Sequence, residues 1–345
     1  MLHIKSVVKS LGNFLLGPLD LIVENEILVI LGPSGSGKTT LINVISGISQ
    51  LDSGEIIIGN ERVSEESIEN RGVSIVFQED ALFPHMTVLE NIKYANSTEE
   101  DINKIVDIFG IEHILDRSVG ALSGGEKNRV ELARAIISMP KILLLDEPLS
   151  SLDYPVRKKL APDLRKILKR VKIPVVYVTH DREIAWEIGD RIAIMSKGGI
   201  CQIGTPEDVF KKPTTIIAAE ITGESNILRM EMKEKSGNER VVGWGPYNLE
   251  IVAEQNGNEE TIHVSIRPDD IILGTQGGGI NWMEGEIIEK IFKGHRYAVE
   301  LNIEGVEENI RVNVPLDHNE IKNLKKGREI WVHFPKKSMQ IVLDN

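Results

Sequence analysis

Over roughly residues 1–220 the chain alternates short, wholly apolar runs with longer stretches of helical period. Ile27-Leu28-Val29-Ile30-Leu31, Ile142-Leu143-Leu144-Leu145 and Val175-Val176-Tyr177-Val178 are apolar without interruption, the pattern of strands covered on both faces. Val73-Ser74-Ile75-Val76-Phe77 reads as a further strand. From Glu126 to Met139 the apolar positions Val130, Ala133, Ile136 and Ile137 share one helical face, with Lys127, Asn128 and Glu131 off it and Pro140 as the stop. This alternation predicts an α/β domain. After about residue 222 the pattern changes to short strand-like segments divided by Gly, Asn and Pro. These are Thr261–Ile266, Gly285–Ile288, Tyr297–Leu301 and Ile330–Phe334, with the glycine-rich Gly274–Gly279 as a loop. They predict a small all-β, barrel-like or sandwich domain. The expected boundaries are 1–222 and 223–345.

Composition narrows the classes without changing this outline. Of 345 residues 41% are apolar, enough for a full core, and 40 basic against 52 acidic side chains give a net charge of −12. That balance argues against nucleic acid, or an anionic bilayer, as a broad partner. Cys201 is the single cysteine, so no disulfide forms within the chain, and a reducing compartment is expected. No apolar run approaches the roughly 18 residues of a membrane span. The opening Met1-Leu2-His3-Ile4-Lys5 lacks a signal-peptide run. Any work at a membrane is therefore expected from its cytoplasmic face.

The chemistry concentrates at strand ends. Gly32-Pro33-Ser34-Gly35-Ser36-Gly37-Lys38-Thr39 follows the first strand and precedes Leu41, Ile42, Val44 and Ile45, an apolar helical run. Strand, glycine loop and helix form a P-loop: backbone N–H groups curl around phosphates, and the helix N-terminus adds partial positive charge. Lys38 is expected to reach the β and γ phosphates, Thr39 to ligate Mg²⁺, and the adjoining Thr40 to line the site. Asp146 and Glu147 end the second strand, at the edge where doubly wound sheets bind ligands. Asp146 can hold a Mg²⁺-bound water, and Glu147 can polarise an attacking water and accept its proton. His180 ends the third strand and is a candidate γ-phosphate contact. Gln78, after the Val73–Phe77 run, is a neutral candidate for Mg²⁺ or for the attacking water.

Leu122-Ser123-Gly124-Gly125-Glu126, taken with the P-loop, Gln78, Asp146-Glu147, Ser151-Leu152-Asp153 and His180, resembles the ATPase subunit of ATP-binding-cassette transporters. The resemblance covers roughly residues 1–220. It implies a P-loop NTPase fold with a helical subdomain over about 79–122, and a head-to-tail dimer closing over two ATP molecules. Ser123, Gly124 and Gly125 of one copy would then bind the γ-phosphate held by the other, with Asp153 in the loop crossing the seam. Gln78 would open the segment that senses transmembrane permease subunits, and residues from Glu79 to Asn91 with the following helices would dock on them. An extracellular solute-binding protein would be an indirect partner. Two positions depart from the family pattern. Glu126 stands where Gln is usual, adding a charge, while the serine and glycines remain. Leucine stands at position 11 where an aromatic usually stacks on adenine, so Leu11 packs on the base or Phe14 reaches it.

Gly223–Leu228 and Ser265-Ile266-Arg267-Pro268-Asp269-Asp270 are similar to pieces of accessory domains in importer ATPases, which carry an oligonucleotide-binding-type barrel and often regulate uptake. Arg267 is a candidate for binding an anion, or for a strand-end salt bridge or turn role. The tail lacks a basic stripe with aromatics, so nucleic acid is not an expected ligand. The stretch from Leu152 to Leu164 most resembles molybdate or tungstate transport ATPases, which would make the tail a regulatory oxyanion binder. The alternatives are the same subunit serving sulfate, ferric iron, polyamines or sugars, or a soluble ATPase of this family that does not serve transport.

Overall fold

The computed structural model describes residues 1–78, 81–95, 98–252, 260–318 and 324–344. Its contacts divide the chain into two compact units, Met1–Pro206 and Glu207–Asn345.

In the first unit a six-stranded sheet runs in the order Gly199–Gly204, Arg191–Ser196, Ile27–Leu31, Val175–Thr179, Ile142–Asp146, Val73–Val76. The pairings from Arg191–Ser196 to Val73–Val76 are parallel, and Gly199–Gly204 adds an antiparallel edge. The three strands expected from uninterrupted apolar runs are buried at every residue, as strands covered on both faces must be. Parallel register aligns their carboxyl ends: Leu31 pairs with Thr179, and Asp146 with Val178. The loop after Leu31, the Asp146-Glu147 pair and His180 therefore emerge at one sheet edge.

A second, four-stranded sheet begins with the hairpin Leu2–Leu11 and Phe14–Val23. Gly12 takes φ 58° in its turn, and Leu11 pairs with Phe14 across it. Beyond the sheet, the described residues of the expected helical segment form helices Val88–Lys93 and Glu99–Phe109. Thr87 and Thr98 cap them, each accepting a backbone N–H with its hydroxyl. Glu79 and Asp80, which open the expected docking segment, lie outside the described residues. Within that segment Asn91 is buried and its Oδ1 accepts from Phe83 N at 2.8 Å. No helix among the described residues is long and apolar enough to cross a membrane.

The second unit contains two five-stranded antiparallel sheets. Leu228, Trp244, Val264, Ile287, Leu301 and Val332, drawn from both sheets, lie in one buried apolar cluster. Helices Pro206–Lys211 and Ile216–Thr222 precede the first strand. Sequence pattern put these helices with the α/β domain, whereas the compact units divide earlier, at Pro206/Glu207. Arg267 supplies the physical reason. Its buried guanidinium donates to Phe210 O at 2.9 Å, Ala219 O at 2.9 Å, Glu224 O at 3.1 Å and Thr222 Oγ1 at 2.6 Å. It also lies over the Phe210 ring, 4.6 Å from the centroid. The side chain considered for anion binding is committed to holding these helices.

Candidate active site

The glycine loop is built around two positions that exclude a side chain. A Cβ on Gly32 would lie 2.2 Å from Met195 O. Gly37 sits at φ 106°, and a Cβ there would lie 2.7 Å from the Phe14 ring. Gly37 is also the N-cap of helix Lys38–Ser46 and supplies no side-chain cap, so the first N–H groups of the helix face the loop without a capping oxygen. The Ser36 hydroxyl is buried, with no hydrogen-bond partner among the described residues. Lys38 turns back over the loop, donating from Nζ to Gly32 O at 2.9 Å and Pro33 O at 3.0 Å. Burial lowers its pKa, against the opposing pull of Glu147 and Asp146.

The loop opens on a cleft of about 550 Å³ whose walls include Leu11, Phe14, Lys38, Thr39, Thr40 and Glu147. Asp146 is buried at the strand end and accepts a hydrogen bond from the Thr39 side chain. Burial raises its pKa, and the neighbouring Glu147 charge raises it further. Glu147 takes φ 49°, its N–H still donating to Val178 O at 3.0 Å. That left-handed turn breaks the strand direction and projects the carboxylate into the cleft. Glu147 Oε1 lies 2.9 Å from His180 Nδ1. A phosphate-wrapping loop, a lysine, a carboxylate and a histidine thus meet at one edge. The donor set fits a nucleotide with its divalent cation: uncapped helix N–H groups and Lys38 face the loop, and a Thr–Asp oxygen pair lies beside it.

The remaining expected residues lie elsewhere on the first unit. Gln78 and Gly124 line a separate cleft of about 510 Å³ and not the loop cleft. Ser123 caps helix Gly124–Ile137 in a capping box: Glu126 N donates to Ser123 Oγ, and Glu126 Oε2 accepts from Ser123 N at 2.8 Å and Oγ at 2.7 Å. The carboxylate at the family's usual Gln position thus completes the cap. Its pKa is lowered by these bonds and then by Arg117, 3.0 Å away. Gly124 lies close under Leu152, where a Cβ would come within 2.5 Å of the Leu152 side chain. Asp153 is the N-cap residue of helix Tyr154–Val171, and its side chain makes no capping bond.

Sequence periodicity placed Asn128 and Glu131 off the packed face, but both are buried. Asn128 Nδ2 donates to Pro148 O at 2.9 Å, and Glu131 Oε1 accepts from Ala81 N at 2.9 Å. They satisfy loop backbone groups rather than water. Two polar residues within a helix that caps functional loops were the available signal. Arg157 was likewise passed over: it joins Asp181 at 3.0 Å to Leu152 O at 3.2 Å.

Comparison with known proteins places the chain in a family. The profile of the ABC transporter family matches residues 20–150, and that of the TOBE domain matches residues 264–342. The spermidine/putrescine import ATP-binding protein PotA of Borrelia garinii subsp. bavariensis is 40% identical over 302 residues, 85% of each chain. Its namesake from Clostridioides difficile is 37% identical over 329 residues, 93% of this chain and 91% of the relative. An ATP-binding cassette of an ABC transporter, solved in its ADP conformation, superimposes with a TM-score of 0.57 at 28% identity, covering 65% of this chain and 99% of that one. A dimeric cassette in a post-hydrolysis state, bound to ADP and Pi, gives a TM-score of 0.51 at 28% identity, covering 59% of this chain and 98% of that one. With relatives of this identity spanning most of its length, the chain belongs to the ATP-binding-cassette transporter family, as an importer's ATP-hydrolysing subunit that uses ATP with Mg²⁺ and carries a C-terminal TOBE domain.

Proposed function

We infer that two copies of this chain close head to tail over ATP and power the import of polyamines through transmembrane permease subunits, working from the cytoplasmic face of the membrane. The observation that carries the reaction is the placement of Glu147, in the loop cleft and 2.9 Å from His180. Glu147 takes the proton of the attacking water, and His180 orients that carboxylate and contacts the γ-phosphate. Lys38, bonded to two loop carbonyls, has a third N–H to give to a phosphate oxygen. Thr39 and Asp146 would hold Mg²⁺, while Gln78, in the separate cleft, is not placed to join them; the ion would neutralise charge on the β and γ oxygens. Leu11 and Phe14, at the hairpin turn, bracket the base.

Ser123, Gly124 and Gly125 do not line the loop cleft of their own chain. In this reading they serve the nucleotide of the second copy, as does Asp153 at the seam. A solved cassette similar to this chain is dimeric and bound to ADP and Pi. Residues 1–206 are the motor, and the TOBE-bearing unit is regulatory.

The solute rests on the relatives, named for spermidine and putrescine import. Polyamines were one of the alternatives that the sequence left open. Molybdate or tungstate, the leading sequence expectation, gains no such support. The stretch that suggested it forms a loop and the start of helix Tyr154–Val171 in the ATPase unit. The regulatory oxyanion loses its candidate ligand as well, since Arg267 is occupied by backbone carbonyls and Thr222. The test is uptake into proteoliposomes containing this subunit with its permease partners, using labelled spermidine and labelled molybdate in parallel arms. ATP-dependent spermidine uptake that Lys38→Ala abolishes is expected. Molybdate uptake without spermidine uptake would overturn the polyamine assignment.

A further inference from the structure

We propose that Arg157 is a positioning residue for the hydrolytic pair, clasping the loop that carries Asp153 to the turn that carries His180. The inference rests on the roles given above to Glu147 and His180. Its basis is a ring of bonds that begins and ends on Glu147. The Glu147 carbonyl accepts from Ser150 N at 3.0 Å and from Ser150 Oγ at 2.7 Å, which folds the chain into a tight turn. That turn runs on to Leu152, whose own N–H donates to Leu149 O at 3.2 Å. Arg157 then closes the ring, with Nη2 donating to Leu152 O at 3.2 Å and Nη1 meeting Asp181 Oδ2 at 3.0 Å. Asp181 follows His180 directly, and His180 Nδ1 returns to Glu147 Oε1 at 2.9 Å.

Each joint of the ring is fixed on its far side. Asp181 cannot swing away, because Oδ1 accepts from Glu183 N at 3.0 Å and Ile184 N at 3.3 Å as the cap of helix Arg182–Ile188. Its backbone N–H is held by Thr179 Oγ1 at 2.9 Å. Tyr154 adds a second strut, with its hydroxyl donating to Glu183 Oε2 at 2.8 Å. Arg157 itself sits one helical turn after Asp153, its N–H donating to Asp153 O at 2.9 Å. A displacement of the Asp153 loop is thereby transmitted to the residue beside His180.

The site requires arginine rather than a generic cation. Two N–H groups must point along different directions, one to a carbonyl and one to a carboxylate, which the planar guanidinium does from a single pose. A lysine ammonium satisfies one arm. The pose is maintained although Nε of Arg157 is buried without a partner, so the two end contacts set it rather than full satisfaction of the guanidinium.

The experiment uses the full-length chain, with single-turnover ATP hydrolysis and equilibrium nucleotide binding measured separately. Arg157→Ala is expected to slow the hydrolytic step about 10- to 100-fold, the scale of a small misplacement of reacting groups, with nucleotide affinity within about twofold of the parent. Arg157→Lys, which keeps the charge and the Asp181 arm, is expected between the two. Asp181→Asn reports on the other end of the clasp if alanine compromises folding, and it is expected to slow hydrolysis in the same sense. The deciding comparison is with His180→Ala. If Arg157 acts through His180, adding Arg157→Ala to that variant costs less than about twofold more. Multiplicative losses in the double variant overturn the inference, as does a normal rate for Arg157→Ala beside a crippled His180→Ala. A normal rate in His180→Ala alone instead overturns the role given to His180, and this inference with it.

Discussion

Replacing Glu147 with glutamine separates binding from chemistry at this site. The amide retains an oxygen that can accept from His180 at the 2.9 Å position now held by Oε1, so the turn and its partner are preserved. It cannot take a proton. Loss of a positioned general base costs about 10²- to 10⁴-fold in rate, or about 3–5 kcal/mol in the barrier. Nucleotide affinity should move the other way. Glu147 is one of two carboxylates whose charge acts on Lys38, and its removal lessens repulsion of an anionic ligand. A unit charge roughly 8 Å away in an effective dielectric of about 40 is worth about 1 kcal/mol, or about fivefold in affinity. Rapid mixing with γ-labelled ATP gives the single-turnover rate, and gel filtration with ATP and Mg²⁺ reports the closed pair. The expected result is a slow variant that accumulates as a nucleotide-bound dimer. A rate within about threefold of the parent, under about 0.7 kcal/mol, would remove Glu147 from the base role.

Asp146→Asn tests the electrostatics of the buried strand end. The folded pKa of Asp146 is raised by burial, so between its ordinary and its raised pKa the folded chain binds the proton more than the unfolded one. Stability therefore falls as pH rises through that window, and the cost is fully present above it. Without nucleotide and metal, Asp146→Asn should melt higher than the parent at neutral pH and lose that advantage in the acid range, while ATP hydrolysis is abolished; a gain that does not depend on pH would refute the account. Ser123→Ala removes the side-chain cap of helix Gly124–Ile137 and should lower stability by about 1 kcal/mol in chemical unfolding, together with ATP-driven dimerisation by gel filtration. Arg267→Met deprives three carbonyls and the Thr222 hydroxyl of their donor. It should destabilise the TOBE-bearing unit by about 3 kcal/mol or more, seen by calorimetry as a lowered transition while the nucleotide-stabilised transition stays in place.

The parts of the site carried by uninterrupted apolar strands were legible, because double burial leaves one simple pattern. Ile27–Leu31, Ile142–Asp146 and Val175–Thr179 fall where the runs predict, and each delivers its functional residue at the same edge. The amino-terminal hairpin was not read as strands. Its alternation is broken by register shifts between Ile4 and Val7 and between Val7 and Lys9, so the period of two never runs long enough to show. Leu11 and Phe14 were candidates by position, but the turn that brings both to the wall of the loop cleft was not visible. Asn128 and Glu131 misled periodicity for a different reason. Burial in a helix is normally signalled by apolarity, and these two are buried because loop backbone groups need partners there.

The polar groups assigned to ATP are mostly engaged within the chain. Lys38 is bonded to Gly32 O and Pro33 O, Thr39 to Asp146, His180 to Glu147, and Ser123 to Glu126. Where such a bond must be exchanged the net gain is the small difference between two charge-assisted interactions, whereas the third N–H of Lys38 and the lone pairs of the Thr39 hydroxyl can take a phosphate or a metal without giving up a bond. Affinity then depends on many contacts forming together, and in the proposed head-to-tail pair those of Ser123 are available only in the second copy. On that proposal a lone chain gains from Lys38, Thr39 and the loop N–H groups, whereas a closed pair adds the Ser123 contact twice. Coupling of nucleotide binding to dimer closure thus follows from where the internal partners are, and it places the largest penalty for a missing contact on the residues that join late.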